Sequence, residues 1–200
     1  MACPMLYVVL FAAVSLSLFP IISPSPTKTV AAPYAPSPSP IAHSSHELLQ
    51  HICNQTSVYE FCMEALGSDP RTASAPDILS IAKIALDLAM TNATNVRKYI
   101  DCMLKRKDLK PAALKIALEK CGSWYESVFY SFRSALVEVG EDDAMTANYD
   151  AQVAGDYIQD CELEQSFRGV SDPSISAKGQ VMMHFVRIGD TVTDLLWPSS

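Results

Sequence analysis

Two cysteines placed symmetrically about a helix break constrain this chain more than any other feature. An apolar-periodic run opens at Pro111 and reaches Val139. Gly140 interrupts it and a second helical run resumes near Asp143, so the turn centre lies near residue 141. Cys121 stands twenty residues before that centre and Cys161 twenty after it. In an antiparallel helical hairpin, residues equidistant from the turn sit at one height, because both helices climb at the same rise per residue. The two thiols then come within disulfide reach if their Cβ vectors converge. A single helix would hold them roughly 60 Å apart. The spacing predicts a helical hairpin closed by a Cys121–Cys161 bridge.

The same arithmetic applies near the start. Ser45, Leu48, Leu49 and Ile52 trace a short amphipathic helix, and Asn54-Gln55-Thr56 reads as a turn. Ser57 is expected to cap a second short helix through Leu66, with Gly67 as its stop. Along one straight helix Cys53 and Cys62 would be about 13 Å apart, too far to bond. Folded into a tight hairpin around Ser57, they come level.

Four long helical runs follow. The first begins at Pro76-Asp77 and ends in the basic tract Lys105-Arg106-Lys107, where cations suit the negative end of the helix dipole. The second is the run from Pro111. The third, about 143–167, carries Met145, Tyr149, Val153, Ile158 and Phe167 at helical spacing. The fourth opens at Asp172-Pro173 and repeats Ile175, Val181, Met182, Phe185, Ile188 and Val192. Four long helices with short connections predict an all-α fold: an antiparallel four-helix bundle with a short disulfide-stapled N-terminal helical hairpin. Gly155, Gly179 and Gly189 read as points where helices approach closely. Cys102 is the remainder. With a turn near residue 108 it stands level with Leu114, about 10 Å from the height of Cys121. It is therefore expected to be a free thiol packed in the apolar interior.

Residues 5–22 form an apolar run broken by serines and Pro20, too short for a spanning helix and suited to a signal-peptide core. Residues 1–32 are read as that leader, 33–43 as a Pro/Ser-rich linker and 44–197 as the folded domain. A leader and two bridges predict an oxidising, secreted route, with no membrane attachment of the mature form. Asn54-Gln55-Thr56 and Asn92-Ala93-Thr94 are N-glycosylation sequons, making Asn54 and Asn92 candidates. Without residues 1–40, 14 basic residues face 22 acidic ones. That sign argues against a nucleic-acid partner and favours a basic protein surface. His46 and His51 are spaced wrongly for joint ligation on a helix face, and Cys53 is committed to a bridge, so no metal or other cofactor is expected. No hydrolase, zincin or phosphate-loop motif occurs, and the carboxylates are scattered along helix faces. The chain does not read as an enzyme.

Particular residues also carry a resemblance. They are Tyr59-Glu60-Phe61-Cys62 with Leu66, Asp69 and Pro70 in ICNQTSVYEFCMEALGSDP, the helix ALEKCGSWYESV, and Asp160-Cys161-Glu162 with Phe167 downstream. With the order Cys53, Cys62, Cys121, Cys161 and one extra thiol, residues 44–196 resemble the plant invertase and pectin methylesterase inhibitors, especially those labelled invertase inhibitors, some of them pollen allergens. The resemblance implies a secreted, apoplastic protein that occludes the active-site cleft of a cell-wall enzyme. The partner would be pectin methylesterase or a cell-wall or vacuolar invertase. It further implies contact through the second and third bundle helices, with a Pro-Lys-Phe tripeptide in their connection in the invertase inhibitors. Here that connection reads VGEDDAMTANYD, without the tripeptide and with acidic residues in its place. Glu141, Asp142, Asp143 and Tyr149 are the candidate target-binding residues, although the acids can equally cap the third helix. The competing readings are an extracellular lipid or small-ligand carrier and an inhibitor scaffold without a target enzyme.

Overall fold

The computed structural model describes residues 45–197, so the expected leader and linker lie outside the described residues. Six α-helices make up this part: α1 (Ser45–Gln55), α2 (Tyr59–Gly67), α3 (Ile78–Leu104), α4 (Ala112–Gly140), α5 (Ala144–Phe167) and α6 (Pro173–Asp194). Helices α3 to α6 form the predicted antiparallel bundle, each packed on its neighbours in the ring. The short hairpin α1–α2 lies on the α3 and α6 side.

Helix starts follow from local chemistry. Asp77 accepts a hydrogen bond from the Ser80 amide at 2.8 Å and caps α3. Asp172 does the same for α6, accepting from Ser174 and Ile175 at 3.0 Å, with Pro173 in the first turn. The buried Gln165 side chain in turn accepts the Asp172 amide at 2.9 Å, which fixes the α5–α6 turn. Ser57 is not the cap of α2. The helix starts two residues later, and Thr56 Oγ1 accepts the Val58 amide at 3.2 Å instead. Arg71 ties the polar loop down through Asp69 at 2.7 Å and Asp87 at 2.8 Å.

Both predicted bridges are present. Cys121 and Cys161 have Cα atoms 4.8 Å apart, and Cys53 and Cys62 5.6 Å apart. The expectation of a free, interior thiol at Cys102 is corrected. No cysteine among the described residues is free, and Cys102 is half-buried on the flank of α3. Helical phase explains the half-burial: Tyr99 and Met103 face the core, and Cys102 stands about 100° round from Met103.

The main core fills the bundle with Leu118, Tyr125, Val128, Phe132, Ile158 and Met182. A second cluster joins Leu49, Ile52 and Leu66 of the hairpin to Ile81, Ile84, Ile188 and Val192 of α3 and α6. Phe61 adds edge-on contacts to His184 and Phe185 at centroid distances of 4.8 and 5.2 Å.

Close approach of α5 and α6 rests on glycine, as expected. A Cβ at Gly189 would lie 3.3 Å from Ala151 Cβ, 3.5 Å from Phe132 and 3.6 Å from Leu86. Gly189→Leu is therefore expected to cost about 3 kcal/mol by overpacking, whereas Gly189→Ala stays near neutral because helix propensity offsets the tight contact. Urea midpoints with unchanged slope measure this. Equal midpoints for Gly189→Leu and the parent would contradict the packing.

Candidate target-binding surface

The bundle ring leaves α4 and α5 with outward faces that no neighbouring helix covers. Counted from the Cys121–Cys161 bridge, sixteen residues along each helix bring Val137 level with Met145 near the α4–α5 turn. Val137, Met145 and Tyr149 are exposed at that end, Tyr149 by 66%, and Tyr130 is exposed about midway between the bridge and the turn. At the opposite end of the pair Ile116, Leu163 and Phe167 are exposed, Phe167 by 86%.

This reverses part of the sequence reading of α5. Met145, Tyr149 and Phe167 recur at helical spacing with Ile158, yet they point outward while Ile158 is buried. The buried face is made of Ala147, Ala151, Ala154, Gly155, Ile158 and Cys161. Small residues occupy it because α5 lies close to both α4 and α6. Tyr157, by contrast, packs partly buried against the core.

The structure brings the four named target-binding candidates to one tip. Glu141 closes α4, Asp142 turns the chain with φ of 64°, and Asp143 starts α5. Aspartate tolerates that left-handed conformation better than most residues. The Asp143 carboxylate accepts the Thr146 amide at 3.1 Å, and this hydrogen bonding holds its pKa below the ordinary value. Its capping role is thus filled, while Glu141 and Asp142 remain exposed.

A fourth acid at the tip, Glu138, has no counterpart among the residues singled out from the sequence. Glu138 Oε2 is buried with no hydrogen-bond donor facing it. Burial first, then the charges of Asp150 and Asp143, raise its pKa to about 7. A hydrogen bond between Glu138 and Asp150 can form only when one of the two is protonated. Unfolded, the same carboxyl titrates near 4.5. Between pH 4.5 and about 7 the folded chain therefore holds a proton that the unfolded chain has released, and stability falls as pH rises. Glu138→Gln is expected to stabilise at pH 8 by about 1 kcal/mol, a figure reduced for partial solvent screening. It should change nothing at pH 4. Thermal unfolding at both values checks this, and an equal gain at both would contradict the assigned cause.

At the other end Glu164 sits between Lys120, at 3.0 Å, and Arg168 beside the Cys121–Cys161 bridge. Lys120 first, then Arg168, lower its pKa. The pair α4–α5 is thereby locked by covalent and ionic contacts at one height. Among the described residues no cluster of three or more His, Cys, Asp or Glu could hold a metal ion, and no helix is long and apolar enough to cross a membrane.

Comparison with known proteins gives this surface a context. The chain is 32% identical over 127 residues to an Arabidopsis thaliana protein named cell wall / vacuolar inhibitor of fructosidase 2, covering 63% of this chain and 69% of that one. It is 30% identical over 130 residues to a pectinesterase inhibitor of Actinidia deliciosa, covering 65% and 68%. The fold is also that of the crystal structure of a mutant pectin methylesterase inhibitor from Arabidopsis. There the TM-score is 0.65 at 21% identity, over 78% of this chain and 100% of the other. Residues 47–189 match the model of the plant invertase/pectin methylesterase inhibitor family, and the chain belongs to that family.

Proposed function

We propose that this chain is a secreted protein inhibitor of a cell-wall carbohydrate-active enzyme, pectin methylesterase or acid invertase, and that it acts by occluding the target's active-site cleft. The outward face of α4–α5 carries the reading. It presents Met145 and Tyr149, exposed by 57% and 66%, on a hairpin already bridged at Cys121–Cys161. Such a surface loses little conformational freedom on binding, so most of its contact energy survives as affinity. Relatives named as inhibitors of fructosidase and of pectinesterase support both target classes. The bundle interior is filled by fully buried Leu118, Tyr125, Phe132 and Met182, which favours an inhibitor over a lipid carrier.

The acidic tip suits a target whose cleft is rimmed with positive charge. Glu141→Lys with Asp142→Lys leaves the Asp143 cap in place. The pair is expected to weaken inhibition about tenfold at low salt and to flatten its salt dependence. Unchanged inhibition would remove the tip from the contact.

The experiment for the function itself is a titration of the oxidised mature protein against a pectin methylesterase and an acid invertase at pH 5. Stoichiometric loss of one activity is the expected result and names the target. Loss of neither by a folded, fully bridged protein would overturn the proposal in favour of a scaffold without a target enzyme.

A further inference from the structure

The two sequons are chemically equivalent in the sequence and differ sharply in the fold. Asn54 is exposed in the last turn of α1, next to Cys53 and just before the α1–α2 turn. Asn92 is half-buried in the middle of α3, at the edge of the buried face formed by Ala89, Ala93 and Val96. Its amide nitrogen donates to the Leu88 carbonyl at 2.9 Å, and the Thr94 hydroxyl donates to the Met90 carbonyl at 3.0 Å. A bulky, hydrated sugar on Asn92 has to leave from the edge of a packed helix face, whereas one on Asn54 leaves directly into solvent.

We propose that Asn54 carries an N-linked glycan, joined before the Cys53–Cys62 bridge closes, and that a chain glycosylated at Asn92 cannot pack α3 and is lost before secretion, so that Asn92 in the folded protein carries none. The proposal rests on the secretory reading above, since the donor is a lipid-diphosphate-linked oligosaccharide of that route. In the transfer, Asn54 Nδ2 forms a bond to the anomeric carbon of the sugar and loses one proton. The carbon–oxygen bond to the diphosphate breaks, and the lipid diphosphate departs with the electron pair.

The order of events follows from the turn. Once folded, Thr56 is 8% exposed and its hydroxyl oxygen accepts the Val58 amide at 3.2 Å. The sequon hydroxyl is then no longer presented to a transferase. The Cys53–Cys62 bridge closes a ring that contains residues 54–61, the sequon among them, as two thiols give two protons and two electrons to a disulfide oxidant of the same compartment. Transfer therefore has to precede closure, and the two reactions compete for the nascent chain. The hairpin packs against α3 and α6, so a glycan at Asn54 stands clear of the α4–α5 face.

The test expresses the full chain with its leader in plant cells and treats the secreted protein with a peptide-N-glycanase. A one-glycan mobility step is expected for the parent and for Asn92→Gln, and no step for Asn54→Gln or Thr56→Ala. Appearance in the medium without any step, or a step that survives Asn54→Gln, would overturn the proposal. Failure to reach the medium would instead remove the secretory reading and the glycan with it. Timing is read separately with microsomal transferase. The reduced, unfolded chain should accept glycan and the bridged chain should not, and equal acceptance would overturn the proposed order.

Discussion

Tyr149→Ala is expected to weaken inhibition of the target enzyme about thirtyfold while leaving thermal unfolding unchanged. Both halves of that result follow from position. Tyr149 is 66% exposed and contributes little to the fold, so truncating it removes few internal contacts. In a complex it would bury a large, stiff ring at the turn end of the α4–α5 face, and tyrosine anchors are worth about 2 kcal/mol. Phe167→Ala, at the far end of the same face, separates a long contact from one confined to the tip. A comparable loss means that the target spans both ends. Full inhibition by Tyr149→Ala with unchanged unfolding would exclude the tip aromatic from the contact.

Cys121→Ala with Cys161→Ala should produce the largest stability change. The bridge closes a loop of 40 residues, for which the chain-entropy relation gives about 4 kcal/mol. Both sulfurs are also fully buried, so the double variant loses packing as well. For a chain of this size the melting temperature should fall by roughly 8–16 °C. The Cys53–Cys62 bridge closes a separation of only 9 residues, and the same relation gives about 2.6 kcal/mol. Paired chemical denaturation of the two double variants tests the ranking. A larger loss from the hairpin bridge would mean that α1–α2 carries more of the fold than its small cluster indicates.

Much of this architecture is legible in the sequence because covalent geometry and helix rise are rigid. Cys121 and Cys161 being equidistant from the turn dictates the α4–α5 hairpin, and Asp77, Asp143 and Asp172 announce helix starts through hydrogen bonds any reader can anticipate. The outward stripe of α5 was not legible in the same way. Large apolar residues attract assignment to the core, yet close helix approach needs small ones, so Ala147, Ala151, Ala154 and Gly155 hold the interior. In the sequence Tyr149 suits a binding anchor and a core residue alike, and only its exposure separates the two. Glu138 gave no signal. Counting from the turn places it level with Ala144, and only helix phase and side-chain length bring it to Asp150. Asp142 likewise looked like one of three equivalent acids, although its backbone alone takes the left-handed turn conformation among them.

Hydroxyl-radical footprinting of the stoichiometric complex tests the central claim most directly. Met145 and Tyr149 oxidise readily when exposed and lie on the proposed contact face, while Tyr59 and Met63 report on the hairpin at the other side of the bundle. The target enzyme is expected to protect Met145 and Tyr149 strongly and to leave Tyr59 and Met63 at their free rates. Protection of the hairpin with full oxidation at Met145 and Tyr149 would contradict it and move the inhibitory surface to α1–α2.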